Sequence, residues 1–358
     1  MSQGALSVAL VLGGVNAACT QAPPPPAAPA PILAEGSSGA PVQVWTARAG
    51  RRFTGRLVVK DETIYGAGVD RKVYAVDLAT GQTRWASRLG GMILGGVLVA
   101  GDTVFAASGR PEGRVYALDA STGRRLWRTG TGAVAGPLAL VGRTVVAGTF
   151  RGMVAGLDAA SGTVRWRRRL GTTRIPAVAG DSGSAIVATV DSLFRLSAED
   201  GRVLARAASP GTIVSPWLPH GGLLVAGTTD SLVVAIDPHD LRPRWRVTLD
   251  APVLDTPAAG GDTIYAVTRR GSVYRISAAS APAARELAEL RYPVTAPVVL
   301  FDGLVLLGGA DGTLRAIRPD GTEAWRLQMR LPVDLGPVLL EDGLLAVGGN
   351  GDLHRYRR

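Results

Sequence analysis

The chain has 358 residues, of which 46% are hydrophobic and 19% charged, and its formal net charge is +10. This balance supports a large buried core and excludes an intrinsically disordered chain, and the 47 glycines and 23 prolines follow no Gly-X-Y period, which excludes collagen. Because Cys19 is the single cysteine, an intrachain disulfide and a cysteine-based metal site are excluded as well.

The first 18 residues are predicted to be an export signal. Residues 5–18 form an apolar run that is too short to span a bilayer and ends in small residues directly before Cys19. This arrangement resembles a bacterial lipoprotein signal, which implies that Cys19 becomes an acylated first residue. The Pro/Ala/Gly-rich residues 19–40 would then form an extended tether. Cleaved soluble export and an unprocessed apolar tail remain as alternatives.

The remainder of the chain, residues 41–358, repeats one unit. Eight positions in the same register, six of them tryptophan, follow one another at intervals of 39 to 42 residues: Trp45, Trp85, Trp127, Trp166, Ala205, Trp245, Arg285 and Trp325. A period of about 40 residues with strand-like segments is typical of a β-propeller with one four-stranded blade per repeat. We therefore predict an all-β, eight-bladed propeller that forms one domain.

Each repeat is predicted to contain four strands joined by tight turns. First strands are expected near 54, 95, 136, 175, 214, 254, 295 and 335. The Gly-Asp pairs at 101–102 and 261–262 and the Asp-Gly pairs at 302–303 and 342–343 are expected to supply the positive φ angles of the following hairpin turns.

The two ends of the repeat array indicate how the ring closes. The chain stops at Arg358, after the third strand of the last blade, whereas residues 42–49 read as a fourth strand with no blade before it. We therefore expect the amino-terminal strand to complete the last blade, which would leave no open sheet edge between the first and last blades.

The consensus of the repeat is A-x-D-x-x-[ST]-G-x-x-x-W. Its aspartates, Asp77, Asp119, Asp158 and Asp237, are expected to accept hydrogen bonds from the following turn, and its tryptophans to pack between blades. The pattern resembles the pyrroloquinoline-quinone (PQQ) repeat family of eight-bladed propellers. A WD-repeat propeller is less favoured, since no tryptophan of the pattern is followed by Asp.

The PQQ-repeat family contains quinone-dependent dehydrogenases and non-catalytic scaffolds. The resemblance to the dehydrogenases would imply an adjacent-cysteine disulfide and a Ca²⁺ site, but the one cysteine lies in the signal and no acidic and amide cluster has Ca²⁺-ligand spacing. The three histidines, His220, His239 and His354, are expected in different blades as solvated polar residues. We therefore predict no catalytic residue, cofactor or metal, and a binding role.

An exported, non-catalytic propeller of this type resembles the BamB family of outer-membrane assembly factors. This resemblance implies an envelope protein, either a lipoprotein facing the periplasm or a soluble exported protein, with a monomeric propeller that docks on a POTRA domain of the barrel-forming subunit. It assigns partner contacts to Arg174 and Ile175 in one connection between blades and to Asp255 in another.

Three alternatives stay open. The propeller could have another binding or sensing role at the cell surface, it could be a quinone-dependent enzyme, or its basic charge could serve a nucleic acid. The last is less favoured because the arginines are spread along the whole chain. Only Arg167 to Arg169 form a short run, expected on one exposed strand.

Overall fold

The computed structural model describes residues 39–109, 111, 113–181, 183–278, 282–290, 293–329 and 331–358. These residues form 32 strands, arranged as eight antiparallel sheets of four strands, and the described part of the chain contains no helix. The sheets are the blades of a propeller, which confirms the predicted fold.

The strands of blades 1 to 4 run in chain order from the first to the fourth strand of each sheet. They are β2 (Phe53–Lys60), β3 (Thr63–Gly68), β4 (Lys72–Asp77) and β5 (Thr83–Arg88) in blade 1; β6 (Ile93–Ala100), β7 (Thr103–Ser108), β8 (Arg114–Asp119) and β9 (Arg125–Gly130) in blade 2; β10 (Ala139–Val141), β11 (Thr144–Gly148), β12 (Met153–Asp158) and β13 (Val164–Arg169) in blade 3; and β14 (Ala177–Asp181), β15 (Ser184–Ala188), β16 (Ser192–Ser197) and β17 (Val203–Ala208) in blade 4.

Blades 5 to 7 repeat this order, and blade 8 combines the two ends of the chain. The strands are β18 (Leu218–His220), β19 (Leu223–Gly227), β20 (Leu232–Ile236) and β21 (Pro243–Thr248) in blade 5; β22 (Ala258–Gly260), β23 (Thr263–Val267), β24 (Ser272–Ser277) and β25 (Ala284–Glu289) in blade 6; β26 (Val299–Phe301), β27 (Leu304–Gly308), β28 (Thr313–Ile317) and β29 (Glu323–Gln328) in blade 7; and β30 (Val333–Leu340), β31 (Gly343–Gly348), β32 (Asp352–Arg357) and β1 (Val42–Arg48) in blade 8.

The ring closes as predicted, through pairing of the first and last strands. Strand β1 lies antiparallel to β32, with Val42 opposite Arg357 and Arg48 opposite Asp352. The indole Nε1 of Trp45 donates a hydrogen bond of 3.1 Å to the Leu78 carbonyl of blade 1. The amino-terminal strand therefore links the last blade to the first.

The hydrophobic core lies between blades. Eight clusters of buried side chains each combine residues from two neighbouring blades, and together they cover all eight blade interfaces. The interface of blades 8 and 1, for example, packs Leu345 and Leu353 against Ile64 and Val76. Because a blade alone leaves both of its faces uncovered, the ring is the smallest unit that buries this apolar surface.

The first strands begin later than predicted in blades 3 to 7. Their ladders start at residues 139, 177, 218, 258 and 299, and blades 3, 5 and 7 keep only an isolated bridge upstream, such as Val134 with Thr149. Pro137, Pro216 and Pro297 interrupt these segments because proline has no N–H to donate to the ladder. The sequence pattern located the segments but not their hydrogen bonding.

One predicted hairpin turn is also corrected. In blade 8 Leu340 pairs with Gly343, so the two turn residues are Glu341 and Asp342, and Gly343 begins β31 without a positive φ angle. A Cβ atom at Gly343 would lie 2.1 Å from the Tyr356 carbonyl oxygen, so glycine is needed here for close approach. The turn at 302–303 does have positive φ at both residues.

Candidate binding face

The ends of the strands form two opposite faces of the ring. The connections between blades and the turns from second to third strands lie on one face, which we call the connection face. The turns from first to second strands and from third to fourth strands lie on the opposite face, the turn face. This division follows from the antiparallel order of every sheet.

The turn face carries the repeated aspartates, whose charges are used within the fold. The carboxylate of Asp77 accepts the backbone N–H of Thr80 at 2.8 Å and pairs with the Arg84 guanidinium at 2.6 Å. The hydrogen bond from Arg84 and those from Thr80 lower the pKa of Asp77 to about 2. The equivalent turn contacts join Asp119 to Thr122, Asp158 to Ser161 and Asp237 to His239. These aspartates therefore stabilise turns.

Four repeated tryptophans, those of blades 8, 1, 2 and 3, are hydrogen-bonded to the next blade on the turn-face side of the ring. Trp85 Nε1 donates to the Ala120 carbonyl at 2.9 Å, and a Cβ atom at Gly123 would lie 2.5 Å from the Trp85 ring. The glycine of one repeat thus makes room for the tryptophan of the previous repeat. The same indole contacts reach the next blade from Trp45, Trp127 and Trp166.

The last two tryptophans of the repeat pack between blades without this hydrogen bond. Trp245 lies in the cluster of blades 5 and 6 with Ile264, but its Nε1 is buried with no acceptor among the described residues. Trp325 lies in the cluster of blades 7 and 8 with Leu344, and the described residues offer its indole no hydrogen bond to blade 8. Blade 8 has no turn from third to fourth strand, because β1 comes from the other end of the chain. The sequence motif therefore predicts the packing of these two side chains but not their polar contacts.

The connection face differs because its connections and turns expose apolar side chains. Six of the eleven exposed large apolar side chains of the described residues lie within strands β1, β9, β17 and β30, and none of them lies in a turn of the turn face. The other five lie in the connections and turns of the connection face or at a strand end beside them. They are Met92, Leu94, Val190, Leu254 and Leu331. They belong to four separate places around the ring, so each offers a single apolar contact and they do not form one continuous patch.

The connection face of blade 3 also carries guanidinium groups without ionic partners. The Arg174 guanidinium lies 6.0 Å from the centroid of the Phe150 ring, in a cation–π arrangement. Within the described ranges, no carboxylate lies at ion-pair distance from Arg151, Arg169 or Arg174. This contrasts with Arg84 on the turn face, whose charge is neutralised by Asp77.

Ile175, which the family resemblance assigned to partner contact, is not available on the surface. It is only 1% exposed and belongs to the core cluster between blades 3 and 4, with Val146 and Trp166. Its N–H bonds the Thr149 carbonyl at 3.0 Å, and this pairing turns the side chain inward against Gly148. The assignment of Ile175 to a docking surface is therefore wrong for this conformation, whereas its neighbour Arg174 is exposed.

Asp255 lies in a small cleft between blades 6 and 7. The cleft is also lined by Leu254, Thr268 and Arg269. Solvent reaches the Asp255 side chain, but the surrounding protein partly desolvates it and raises the pKa of its carboxyl group. Thr268 Oγ1 is buried without a hydrogen-bond partner in the structure. Arg174 and Asp255 therefore share the connection face but belong to separate connections.

Sequence reasoning missed two contributors to this face. Leu254 is 39% exposed directly beside Asp255, and Phe150 supports Arg174 from a turn between strands. An apolar residue in a connection between blades gives a weak signal, because neighbouring connections bury theirs, as Ile213 shows.

The histidines lie in two blades, which corrects the expectation of three. His220 ends β18 and His239 lies in the turn before β21, so both belong to blade 5, while His354 lies on β32. Burial lowers the pKa of His220 and of His354. Within the described part of the chain, no three His, Cys, Asp or Glu side chains are grouped as metal ligands would be.

Cys19 and the proposed signal and tether up to residue 38 lie outside the described residues. Where the structure does describe the chain, it contains no helix with the length and apolar character needed to cross a membrane.

Comparison with known proteins identifies the family. The sequence profile of a family described as "Outer membrane protein assembly factor BamB" matches residues 38–190, 151–281 and 191–329. These matches cover most of the propeller. The chain belongs to the BamB family of PQQ-repeat proteins.

Solved structures agree with this fold assignment. BamB from Moraxella catarrhalis is 18% identical with a TM-score of 0.74, and the match covers 89% of this chain and 98% of that one. The computationally designed Ika8 protein is 15% identical with a TM-score of 0.73, covering 87% and 98%. At such identities the likeness shows the fold alone. No curated protein matches the sequence.

Proposed function

We propose that this protein is a non-catalytic envelope scaffold that supports the assembly and insertion of β-barrel proteins into the outer membrane. Its membership of the BamB family supports the general role. The observation that carries the proposal for this chain is a contrast between the loops of its two faces: the turns of the turn face are held by repeated Asp–Arg pairs, whereas the connections of the connection face expose Leu254 and the Arg174 guanidinium.

Docking is proposed to use two connections of this face. Arg174 would contribute a positive charge held over Phe150, and Leu254 with Asp255 would contribute an apolar and an acidic contact. Leu254 takes the apolar role that the sequence had given to Ile175. The proposed partner is a POTRA domain of the barrel-forming subunit, with the protein held near the membrane by acylation of Cys19 and the 19–40 tether.

The proposal is tested by direct binding of the full chain to the POTRA domains of the barrel-forming subunit from the same organism. We expect Arg174→Glu to weaken binding at least tenfold, because a charge-assisted contact at an interface is worth about 1.5–3 kcal/mol. Arg124→Glu on the turn face is the matched control, since Arg124 is exposed and without an ion pair in the described residues. Isothermal titration calorimetry measures both affinities.

Two outcomes would contradict the proposal. If the wild-type chain binds no POTRA domain, and a pull-down from detergent-solubilised membranes recovers no barrel-assembly subunit, the assembly role is wrong and another exported binding role is favoured. If the chain binds PQQ tightly and stoichiometrically in the presence of Ca²⁺, followed by absorbance, the non-catalytic assignment is wrong.

A further inference from the structure

The outer strand of blade 3 departs from the repeat at its connection-face end. After the repeated tryptophan, β13 continues with Arg167, Arg168 and Arg169, whereas β5 has Ala86, Ser87 and Arg88 and β9 has Arg128, Thr129 and Gly130. No other outer strand of the described residues carries three consecutive arginines. The departure is confined to the exposed edge of one blade.

The middle arginine of this run takes over a contact that hydroxyl side chains make in the preceding blades. Arg168 Nε donates to the Gly201 carbonyl of blade 4 at 3.0 Å. In the preceding blades the hydroxyls of Ser87 and Thr129 make the equivalent contacts with the next blade, to the carbonyls of Gly123 and Gly162. Arg168 therefore replaces a structural hydroxyl, and the flanking arginines, which project from the opposite side of the strand, need another explanation.

Arg167 and Arg169 are held in place by backbone carbonyls and not by carboxylates. Arg167 Nη2 donates to the Gly130 carbonyl at 2.9 Å, and Arg169 Nη1 donates to the Arg151 carbonyl at 3.3 Å. A guanidinium has five N–H donors, so each keeps most of its donors for a further acceptor. Arg151 adds a third exposed guanidinium at the same corner of the ring.

We define the arginine corner as Arg151, Arg167 and Arg169. The backbone segments that carry these side chains are packed closely against each other. The Leu170 N–H bonds the Gly152 carbonyl at 2.8 Å, and a Cβ atom at Gly152 would lie 2.1 Å from the Gly171 carbonyl oxygen. The turn and the connection are thus packed backbone against backbone. No ion-pair partner for the three side chains exists among the described residues, so their positive charges add.

We propose that the arginine corner binds the phosphate groups of an anionic lipid surface. Guanidinium groups match phosphate oxygens through paired N–H donors, and basic side chains beside a membrane each add about 1 kcal/mol of attraction to anionic lipid. A lipid surface is favoured over an acidic protein because Arg167 and Arg169 lie on β13, the exposed outermost strand of blade 3, while the apolar side chains expected at a protein interface lie in the connections. The tether proposed for residues 19–40 would keep lipid phosphates close by. The contacts proposed for Leu254 and Asp255 lie in the connection between blades 5 and 6, away from this corner.

Vesicle binding tests the inference. The full chain carrying Cys19→Ser, which has no thiol to acylate, is compared with the same chain also carrying Arg151→Gln, Arg167→Gln and Arg169→Gln. The vesicles contain either phosphatidylcholine alone or equal parts of phosphatidylcholine and phosphatidylglycerol. Since one kcal/mol is about fivefold in affinity, we expect the triple substitution to weaken binding to the anionic vesicles on the order of 100-fold, with no change for phosphatidylcholine.

The matched control removes the same charge from the turn face through Arg124→Gln, Arg125→Gln and Arg242→Gln, all at exposed positions. We expect this control variant to lose less than about fivefold in affinity for the anionic vesicles. Equal losses from both triple variants would show that net charge alone drives binding, and unchanged binding of the corner variant would show that the corner does not contact lipid. Either result overturns the inference, as does a corner variant that binds vesicles normally but loses the POTRA partner. Unchanged thermal melting of both variants establishes that they fold.

Discussion

At the scale of single residues, the repeated aspartates show how a short motif stabilises a turn. Asp119 accepts hydrogen bonds from the hydroxyls and N–H groups of Ser121 and Thr122. The hydroxyls make the largest contribution in lowering the pKa of Asp119 to about 2. The sequence predicted this contact because the acceptor and its donors are only a few residues apart.

These aspartates predict a loss of stability in acid. A carboxyl group whose pKa is lower in the folded chain stabilises the fold above its unfolded pKa, and this contribution disappears as pH falls through the folded pKa. The pKa values of Asp77 and Asp119 are both lowered from 3.8 to about 2. We therefore expect the melting temperature to fall as the pH is lowered through this range. Calorimetry of Asp77→Asn/Asp119→Asn should show a lower melting temperature at neutral pH and a smaller fall in acid. An identical pH dependence in the variant would contradict the prediction.

At the scale of blade elements, the large and the small residue of the tryptophan–glycine contact have changed places at the interface of blades 4 and 5. Blade 4 has Ala205 in place of tryptophan, and the turn of blade 5 has Leu241 in place of glycine. Leu241 is fully buried, packs near Ala205, and keeps a φ of 60° despite its side chain. A large side chain thus fills the same space from the opposite blade. The sequence showed a degenerate repeat here, but only packing showed that the two changes compensate.

This compensation predicts coupling between the two positions. We expect Leu241→Gly to lower the free energy of unfolding by about 2–4 kcal/mol, because the lost leucine leaves a cavity while glycine relieves the positive φ. Ala205→Trp alone should destabilise by about 1–3 kcal/mol through overpacking. Denaturant unfolding should show that the double variant is more stable, by at least about 1 kcal/mol, than the sum of the two single losses in free energy of unfolding predicts. Additive effects would mean that the two side chains do not share this space.

At the scale of the whole molecule, stability depends on closing the ring. The core lies between blades, and the interface of blades 8 and 1 contains Trp45 from the amino-terminal strand. Without β1, the outer edge of β32 would be unpaired and Leu78 would lose the Trp45 hydrogen bond. A segment at one end of the sequence therefore affects an interface built by the other end.

Deleting residues 41–49 is expected to lower the free energy of unfolding by more than about 3 kcal/mol, since it removes the partly buried Trp45, the buried Ala49 and the whole pairing of β1 with β32, and loss of one fully buried aromatic side chain alone costs about 3–5 kcal/mol. Calorimetry measures the change. Deleting nine residues from 24–32, within the predicted tether, serves as the control and is expected to leave the melting temperature unchanged. A melting curve unaffected by the loss of 41–49 would show that ring closure does not limit stability.

The sequence by itself determined the all-β class, the eight blades and the closure of the ring, because a repeat of constant length reports a periodic structure directly. It also placed the turn contacts of Asp77 and Asp119, which are local. The tertiary structure alone decided which side chains of the connections reach the surface. Ile175 and Val253 are buried, and each donates its N–H to a threonine carbonyl, whereas Leu254, one residue after Val253, is exposed although it is also an apolar residue of a connection. The arginine corner depends on the same long-range packing, since the carbonyl of Gly130 that holds Arg167 comes from the preceding blade.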